Sequence, residues 1–152
     1  MSVRFACSAL VVVFAACSTG SGASTEPVGL EFARAKLRWA QTAPAAYQIT
    51  VGLRCFCPVE VTRPVVVTVR NGQVESRRYA ETGVEVDSRL ATAFPTVDEL
   101  FAVIEGAIAR HAERVDAVYD PVRGFPISVA IDGKSAIADD ESFYSIQDFV
   151  VR

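Results

Sequence analysis

The sequence predicts an α+β domain in which a single antiparallel sheet carries two helices on one face. Two segments have the composition and apolar spacing of helices, and each is followed by segments that resemble strands. Short turns join these strands, whereas a parallel sheet would need long crossover connections between them. The predicted order of elements is therefore α-β-β-β-α-β-β-β.

The first helix is predicted over residues 30–42, which are rich in strong helix formers. Phe32 and Trp39 lie a heptad apart in this segment, so they share one face of the helix. Pro44 closes the segment. Residues 47–53 then alternate apolar and polar side chains, which indicates a half-buried strand.

A β-hairpin is predicted around Asn71 and Gly72. Residues 64–69 are β-branched and apolar, and residues 74–79 form a second strand-like run. Asn-Gly between two such runs favours a tight turn, because both central positions of that turn need a positive φ.

The second helix is predicted over residues 97–111, after a polar connection over residues 80–94. Thr96 followed by Glu99 is the signature of a capping box, which marks the start of a helix. The residues on one face of this helix make it amphipathic. They are Val97, Leu100, Phe101, Ile104, Ile108 and His111.

Three more strands are predicted over residues 115–119, 127–131 and 143–151. Residues 120–124 contain Pro and Gly and join the first two of these strands. Asp132-Gly133 predicts a further turn before the last strand.

Residues 1–16 are predicted to be a cleaved signal peptide. Arg4 precedes the apolar residues 5–16, a run shorter than the roughly 20 residues of a membrane-spanning helix and typical of secretory signals. The run ends in Phe-Ala-Ala-Cys17, which resembles the lipobox of bacterial lipoproteins, where this cysteine is acylated. Phe14 stands where leucine is usual. The alternative is an ordinary secretory signal in which Cys17 carries no lipid.

Residues 17–29 are predicted to be the acylated cysteine and a flexible tether, because residues 18–25 read STGSGAST. Residues 30–152 are predicted to form one domain. Cleavage removes Arg4 from the 15 basic residues and leaves 14, against 18 acidic ones. These charges are scattered, so we expect no nucleic-acid partner.

Few residues of the domain favour catalysis, and we expect neither an enzyme nor a bound cofactor. His111 is most simply a residue of the last helical turn, where the helix dipole favours it. Asp139, Asp140 and Glu141 form an acidic cluster that is most simply a solvated loop. Their spacing does not match a calcium-binding loop.

Cys55 and Cys57 form the sharpest local motif, Cys-Phe-Cys-Pro. In an extended chain their Cα atoms would be about 6.6 Å apart on one face, so a disulfide would need a bend such as Pro58 permits. Three interpretations remain open: a strained disulfide, two free buried thiols, and a redox or soft-metal site such as copper(I).

Several stretches of the chain resemble a family of small bacterial lipoproteins of unknown function. These stretches are CFCP, RPVVVTVRNGQV, FPTVDELFAVIEGAI, YDPVRGFPISVAID and ADDESFYSIQDF. The Tyr-Asp-Pro-x-x-Gly-Phe-Pro element is the most specific of them. The resemblance implies one intact domain with a lipid anchor and implies no activity.

These observations predict an exported protein that is anchored to the bacterial membrane by an N-terminal lipid. A tether and a sheet with one uncovered face favour a non-enzymatic binding or scaffolding module with a protein partner in the cell envelope. The alternative is a thiol-redox or soft-metal-handling lipoprotein that uses Cys55 and Cys57.

Overall fold

The computed structural model describes residues 28–134 and 140–152. The predicted signal peptide, Cys17 and most of the tether lie outside the described residues, as does Asp139. The elements are α1 (Val28–Thr42), β1 (Ala46–Cys55), α2 (Val59–Thr62), β2 (Val65–Arg70), β3 (Gln73–Tyr79), a 3-10 helix (Ser88–Ala93), α3 (Val97–Ala109), β4 (Arg114–Tyr119), β5 (Pro126–Asp132) and β6 (Glu141–Val151).

The structure is α+β, and its strands form one open sheet in the order β3-β2-β1-β6-β5-β4. Every neighbouring pair of strands in this sheet is antiparallel. The first and last strands of the chain therefore pair at the centre, with Val51 opposite Ile146.

The observed order contains two short helices that the sequence analysis did not predict. The four-residue helix α2 follows Pro58, and the 3-10 helix interrupts the segment predicted as a plain connection. Asp87 caps the 3-10 helix by accepting a hydrogen bond from the Arg89 backbone N–H. Both helices are too short to show an apolar period, so no periodic signal in the sequence predicts them.

The hairpin between β2 and β3 confirms the prediction at Asn71-Gly72. Asn71 has a φ of 51° and Gly72 a φ of 73°, so both residues occupy the left-handed region that this turn needs. The register places Arg70 opposite Gln73 across the turn.

Helix α3 begins at the predicted capping box but ends earlier than predicted. The Thr96 hydroxyl accepts from the Glu99 backbone N–H at 3.1 Å, and Glu99 Oε2 accepts from the Thr96 N–H at 2.7 Å. The helix ends at Ala109. His111 is exposed and has a φ of 54°, so it lies in the turn after the helix and not in its last turn as predicted.

One hydrophobic core joins the sheet to α1 and α3. Strand β1 buries every second side chain, and α3 buries its apolar stripe. Phe32 of α1 packs edge-on against Phe101 of α3, with ring centroids 5.9 Å apart. The largest fully buried side chains are Phe94, Phe101, Ile49, Leu100, Ile104, Val51, Val65, Val67, Val69, Val97, Val129 and Pro126.

An aromatic cluster lies where α1 ends and β1 begins. Trp39 packs edge-on against Tyr47 and Phe149, at centroid distances of 5.5 Å and 6.0 Å. Phe125 stacks on Phe149 at 4.6 Å. The Trp39 indole N–H donates to Asp98 Oδ1 at 3.0 Å, which links α1 to the first turn of α3.

The Tyr-Asp-Pro-x-x-Gly-Phe-Pro segment is explained by packing and turn geometry. Asp120 Oδ1 accepts hydrogen bonds from the backbone N–H groups of Val122 and Arg123 at 3.0 Å and 2.6 Å. Gly124 has a φ of 83°, and a Cβ there would clash with the Ala35 carbonyl oxygen of α1. Only glycine therefore allows this turn to approach the helix so closely.

Candidate functional site

Cys55 and Cys57 come together at the end of β1, in a projecting segment that we call the tip (residues 55–59). Their Cα atoms are 5.3 Å apart, and their sulfur atoms are in contact as in a disulfide. Between them, Phe56 leaves 81% of its surface exposed. Large aromatic side chains at the surface are typical of interaction sites.

The tip bends because β1 leaves the sheet there. Cys55 is opposite Ser142 in the last registered pair of β1 and β6. Pro58 then starts the turn of α2, and its carbonyl accepts from the Val61 N–H at 2.9 Å. This bend brings the two cysteines closer than the 6.6 Å or so of an extended chain, as a disulfide requires.

A groove of about 500 Å³ lies beside the tip. Four strand ends meet there, because β1 and β5 finish where β4 and β6 begin. The lining residues are Arg54, Cys55, Phe56, Arg114, Ala130, Ile131, Asp132, Glu141, Ser142 and Phe143.

The groove presents both signs of charge next to aromatic rings. Arg54 and Arg114 face it together with the carboxylates of Asp132 and Glu141. The Arg54 guanidinium lies 4.3 Å from the centroid of the Phe143 ring, a cation–π contact that also orients the arginine. Such a lining suits recognition of a ligand that has polar and apolar parts.

The acidic residues of the sequence analysis do not form a metal site among the described residues. Asp140 Oδ1 accepts from the Gly133 N–H at 3.1 Å, so this carboxylate supports the turn after β5. Glu141 begins β6 opposite Asp132. In residues 28–134 and 140–152, no three His, Cys, Asp or Glu side chains come together as potential ligands.

A second groove of about 340 Å³ runs along the outer edge of β4. All six residues of β4 line it, together with Glu31 of α1, Ser128 and Ala130 of β5, and Phe143 of β6. This groove was not predictable from the sequence, because the edge position of β4 follows from the order of the strands. No local signal within β4 specifies that order.

Tyr119, the last residue of β4, carries a buried hydroxyl without a hydrogen-bond partner among the described residues. Its ring stacks on Phe101 at a centroid distance of 6.2 Å. Burial raises the pKa of Tyr119 to about 12, and the negative charge of Glu31 adds to this effect.

Tyr47 offers a direct comparison, since its hydroxyl is buried but has a partner. The Val97 backbone N–H donates to Tyr47 Oη at 3.3 Å. Burial is again the largest cause that raises the pKa of this tyrosine to about 12. The two tyrosines therefore differ in whether the hydroxyl is satisfied, rather than in the direction of their pKa shift.

The helices of residues 28–134 and 140–152 include none that is long and apolar enough to cross a membrane. The fold and the two grooves define a small α+β domain with one open sheet.

Over residues 31–151 the chain matches DUF6174, a family of unknown function. This match covers most of the chain, so the protein belongs to that family. It confirms the expected membership of a family without an assigned function, whereas the lipoprotein part of the expectation stays a prediction. Neither a curated protein nor a solved structure matches the chain significantly.

Tyr119→Phe is expected to stabilise the domain by up to about 1 kcal/mol, because it removes a buried hydroxyl that has no partner. Tyr47→Phe is the matched control and should destabilise by about 1 kcal/mol, since it leaves the Val97 N–H without its acceptor. Urea unfolding at neutral pH, followed by Trp39 fluorescence, measures the free energy of unfolding of each variant and of the wild-type chain.

The raised pKa values of Tyr119 and Tyr47 also predict how the stability of the domain changes at alkaline pH. A pKa raised from 10.0 to about 12 means that the folded protein keeps a proton that the unfolded chain loses. The free energy of unfolding therefore falls as the pH rises from about 10 to about 12. Tyr119→Phe should reduce this loss of stability. If the variant is less stable than the wild-type chain and its stability depends on pH in the same way, the Tyr119 hydroxyl is not buried without a partner.

Proposed function

We propose that this protein is a lipid-anchored binding module of the bacterial cell envelope that recognises a partner protein through the tip and its groove. The observation that carries the proposal is the exposure of Phe56 between two cysteines in contact, beside a groove that holds two arginines and two carboxylates. An aromatic anchor surrounded by charged groups is the usual composition of a protein-binding site.

The anchor is supported by the sequence before the described residues. The Phe-Ala-Ala-Cys17 sequence and the preceding apolar run have the order of a lipoprotein signal. Residues 17–27 would then connect the lipid to α1, and a flexible chain of this length spans about 18 Å on average. The domain could therefore reach a neighbour on the same membrane.

Binding is favoured over catalysis by the arrangement of the sheet. The proposal takes α1 and α3 to cover one face, as their shared core indicates. The other face, which we call the outer face, bears the strand side chains that alternate with the core residues. Arg54, Ala130 and Phe143 continue this face into the groove.

The disulfide would hold the Phe56 side chain in its exposed position. It would thereby reduce the conformational entropy that the tip loses when a partner binds. The contact between the sulfur atoms favours this interpretation over two separate buried thiols. Thiol exchange remains the alternative function, because a disulfide beside an exposed residue is accessible to a second thiol.

The intact mass of the full chain purified from membranes tests the anchor and the disulfide together. We expect a chain that begins at Cys17, carries acyl groups, and is two hydrogen atoms lighter than its reduced form. A chain without acyl groups would contradict the anchor. Two thiols that react with an alkylating agent before reduction would contradict the disulfide, and a reduction potential near that of cellular thiol buffers would favour the exchange function.

Photocrosslinking tests the binding function itself. A photoreactive phenylalanine analogue at Phe56, in the full chain in native membranes, should give a discrete crosslinked product with a protein. Val122 is the matched control, because it is an apolar residue with 71% of its surface exposed in the turn between β4 and β5. No product at position 56, or the same products at both positions, would contradict recognition through the tip.

A further inference from the structure

The two edges of the sheet differ in how their backbone groups are paired. At the β3 edge, the Tyr79 N–H donates to the Val84 carbonyl at 3.0 Å, and the Val86 N–H donates to the Arg77 carbonyl at 2.8 Å. The loop after β3 therefore covers the part of that edge from Arg77 to Tyr79. At the other edge, backbone hydrogen bonds within the described part of the chain connect β4 only to β5.

The outer edge of β4 also borders a groove. Its groove is lined by all six residues from Arg114 to Tyr119, which belong to both alternating sets of side chains. The groove also reaches Ser128, Ala130 and Phe143 on the outer face of the sheet, so it includes the edge of β4 and the part of that face beside it. An uncovered edge of this kind presents backbone donors and acceptors to another strand.

We propose that β4 pairs in antiparallel fashion with β4 of a second copy of this chain, about a two-fold axis that passes Ala117. In a symmetric pair the same strand supplies both sides of the interface. Directly opposite residues of antiparallel strands have their side chains on the same face of the sheet. An axis midway between two residues would place neighbouring residues of β4, whose side chains lie on different faces, opposite each other. The axis must therefore pass a residue of β4.

The charges and the length of β4 together select one of the possible registers. An axis at Asp116 would place the two Asp116 carboxylates opposite each other, and an axis at Val118 would place Asp116 opposite Asp120 of the second copy. Like charges in opposite positions destabilise a strand pair. An axis at Val115 would also bring opposite charges together, with Arg114 opposite Asp116 of the second copy. It would pair only the first residues of β4, however, and otherwise the turn before it.

An axis at Ala117 places residues of opposite charge across from each other. It places Arg114 opposite Asp120 of the second copy, and by symmetry this pair of opposite charges occurs twice. Ala117 lies opposite its own copy at the axis. The strand is therefore complementary in charge to itself in this register.

The position of α1 is compatible with this dimer. Glu31, in the first turn of α1, lies beside the β4 groove and acts electrostatically on Tyr119. Helix α1 of both copies would therefore begin near the axis, so that two lipid anchors could reach one membrane. This compatibility rests on the proposed lipid anchor, whereas the strand pairing does not.

Disulfide crosslinking of the full chain in native membranes tests the proposal. Ala117→Cys places two thiols opposite each other at the axis, and oxidation with copper phenanthroline should give a species of twice the monomer mass on a non-reducing gel. Ala130→Cys on β5 is the matched control. It places a cysteine on the neighbouring strand, away from the axis, and should give no more dimer than the wild-type chain.

A charge reversal tests the register. Arg114→Glu, introduced into the Ala117→Cys chain, would place Glu opposite Asp120 twice and should abolish most of the crosslinked dimer. Arg70→Glu is its control, because Arg70 also lies at a strand end and pairs with a nearby carboxylate, Glu75, as Arg114 does with Asp116. This control should leave the dimer unchanged.

Three results would overturn the proposal that the partner of β4 is a second copy of this chain. These are no dimer from Ala117→Cys, equal dimer from Ala130→Cys, and a product of Ala117→Cys whose mass shows a different protein. The last result would indicate that a foreign strand occupies the edge. An undiminished dimer with Arg114→Glu would overturn the register. None of these outcomes depends on photocrosslinking at Phe56, so the two proposals fail separately.

Discussion

The antiparallel pairing of β1 with β6 joins two halves of the sheet that are otherwise separate in the chain. Strands β1 to β3 form one antiparallel meander and β4 to β6 the other, and the sheet is continuous only where the first and last strands meet. Val51 and Ile146 are paired at this joint and are both buried. Asp148, with a φ of 50°, lies next to Phe149, which stacks on Tyr47 at 5.5 Å. The joint therefore closes the core as well as the sheet.

The candidate site depends on the same joint. The tip belongs to the end of β1, whereas the charged groove beside it takes Asp132 from β5 and Glu141 and Phe143 from β6. The stacking of Arg54 on Phe143 also bridges the two halves. A chain in which the halves folded without pairing would keep the Cys55–Cys57 segment but would lose the groove. The joint also leaves β4 at the far edge of the sheet, where a strand of another molecule can reach it.

Local signals in the sequence predicted local structure well. Asn71-Gly72 specified the hairpin and Thr96 with Glu99 specified the start of α3, because each effect depends on residues close together in the chain. The strand order was not predictable in this way, since the pairing of β1 with β6 depends on contacts between opposite ends of the chain. His111 illustrates a finer limit. Its position on the apolar stripe favoured a helical residue, but the chain reverses at that point through a left-handed residue. The grooves depend on the strand order, so only the tip was recognisable from the sequence.

Native-state hydrogen exchange, followed residue by residue as denaturant is added, tests most directly whether the β1–β6 joint holds the domain together. If it does, the central amides of β1 and β6, such as those of Val51 and Ile146, exchange only with global unfolding. The amides of the two meanders then lose protection at the same denaturant concentration. A contrary result would be a meander that stays protected after the other has opened, because each half would then be stable without the joint.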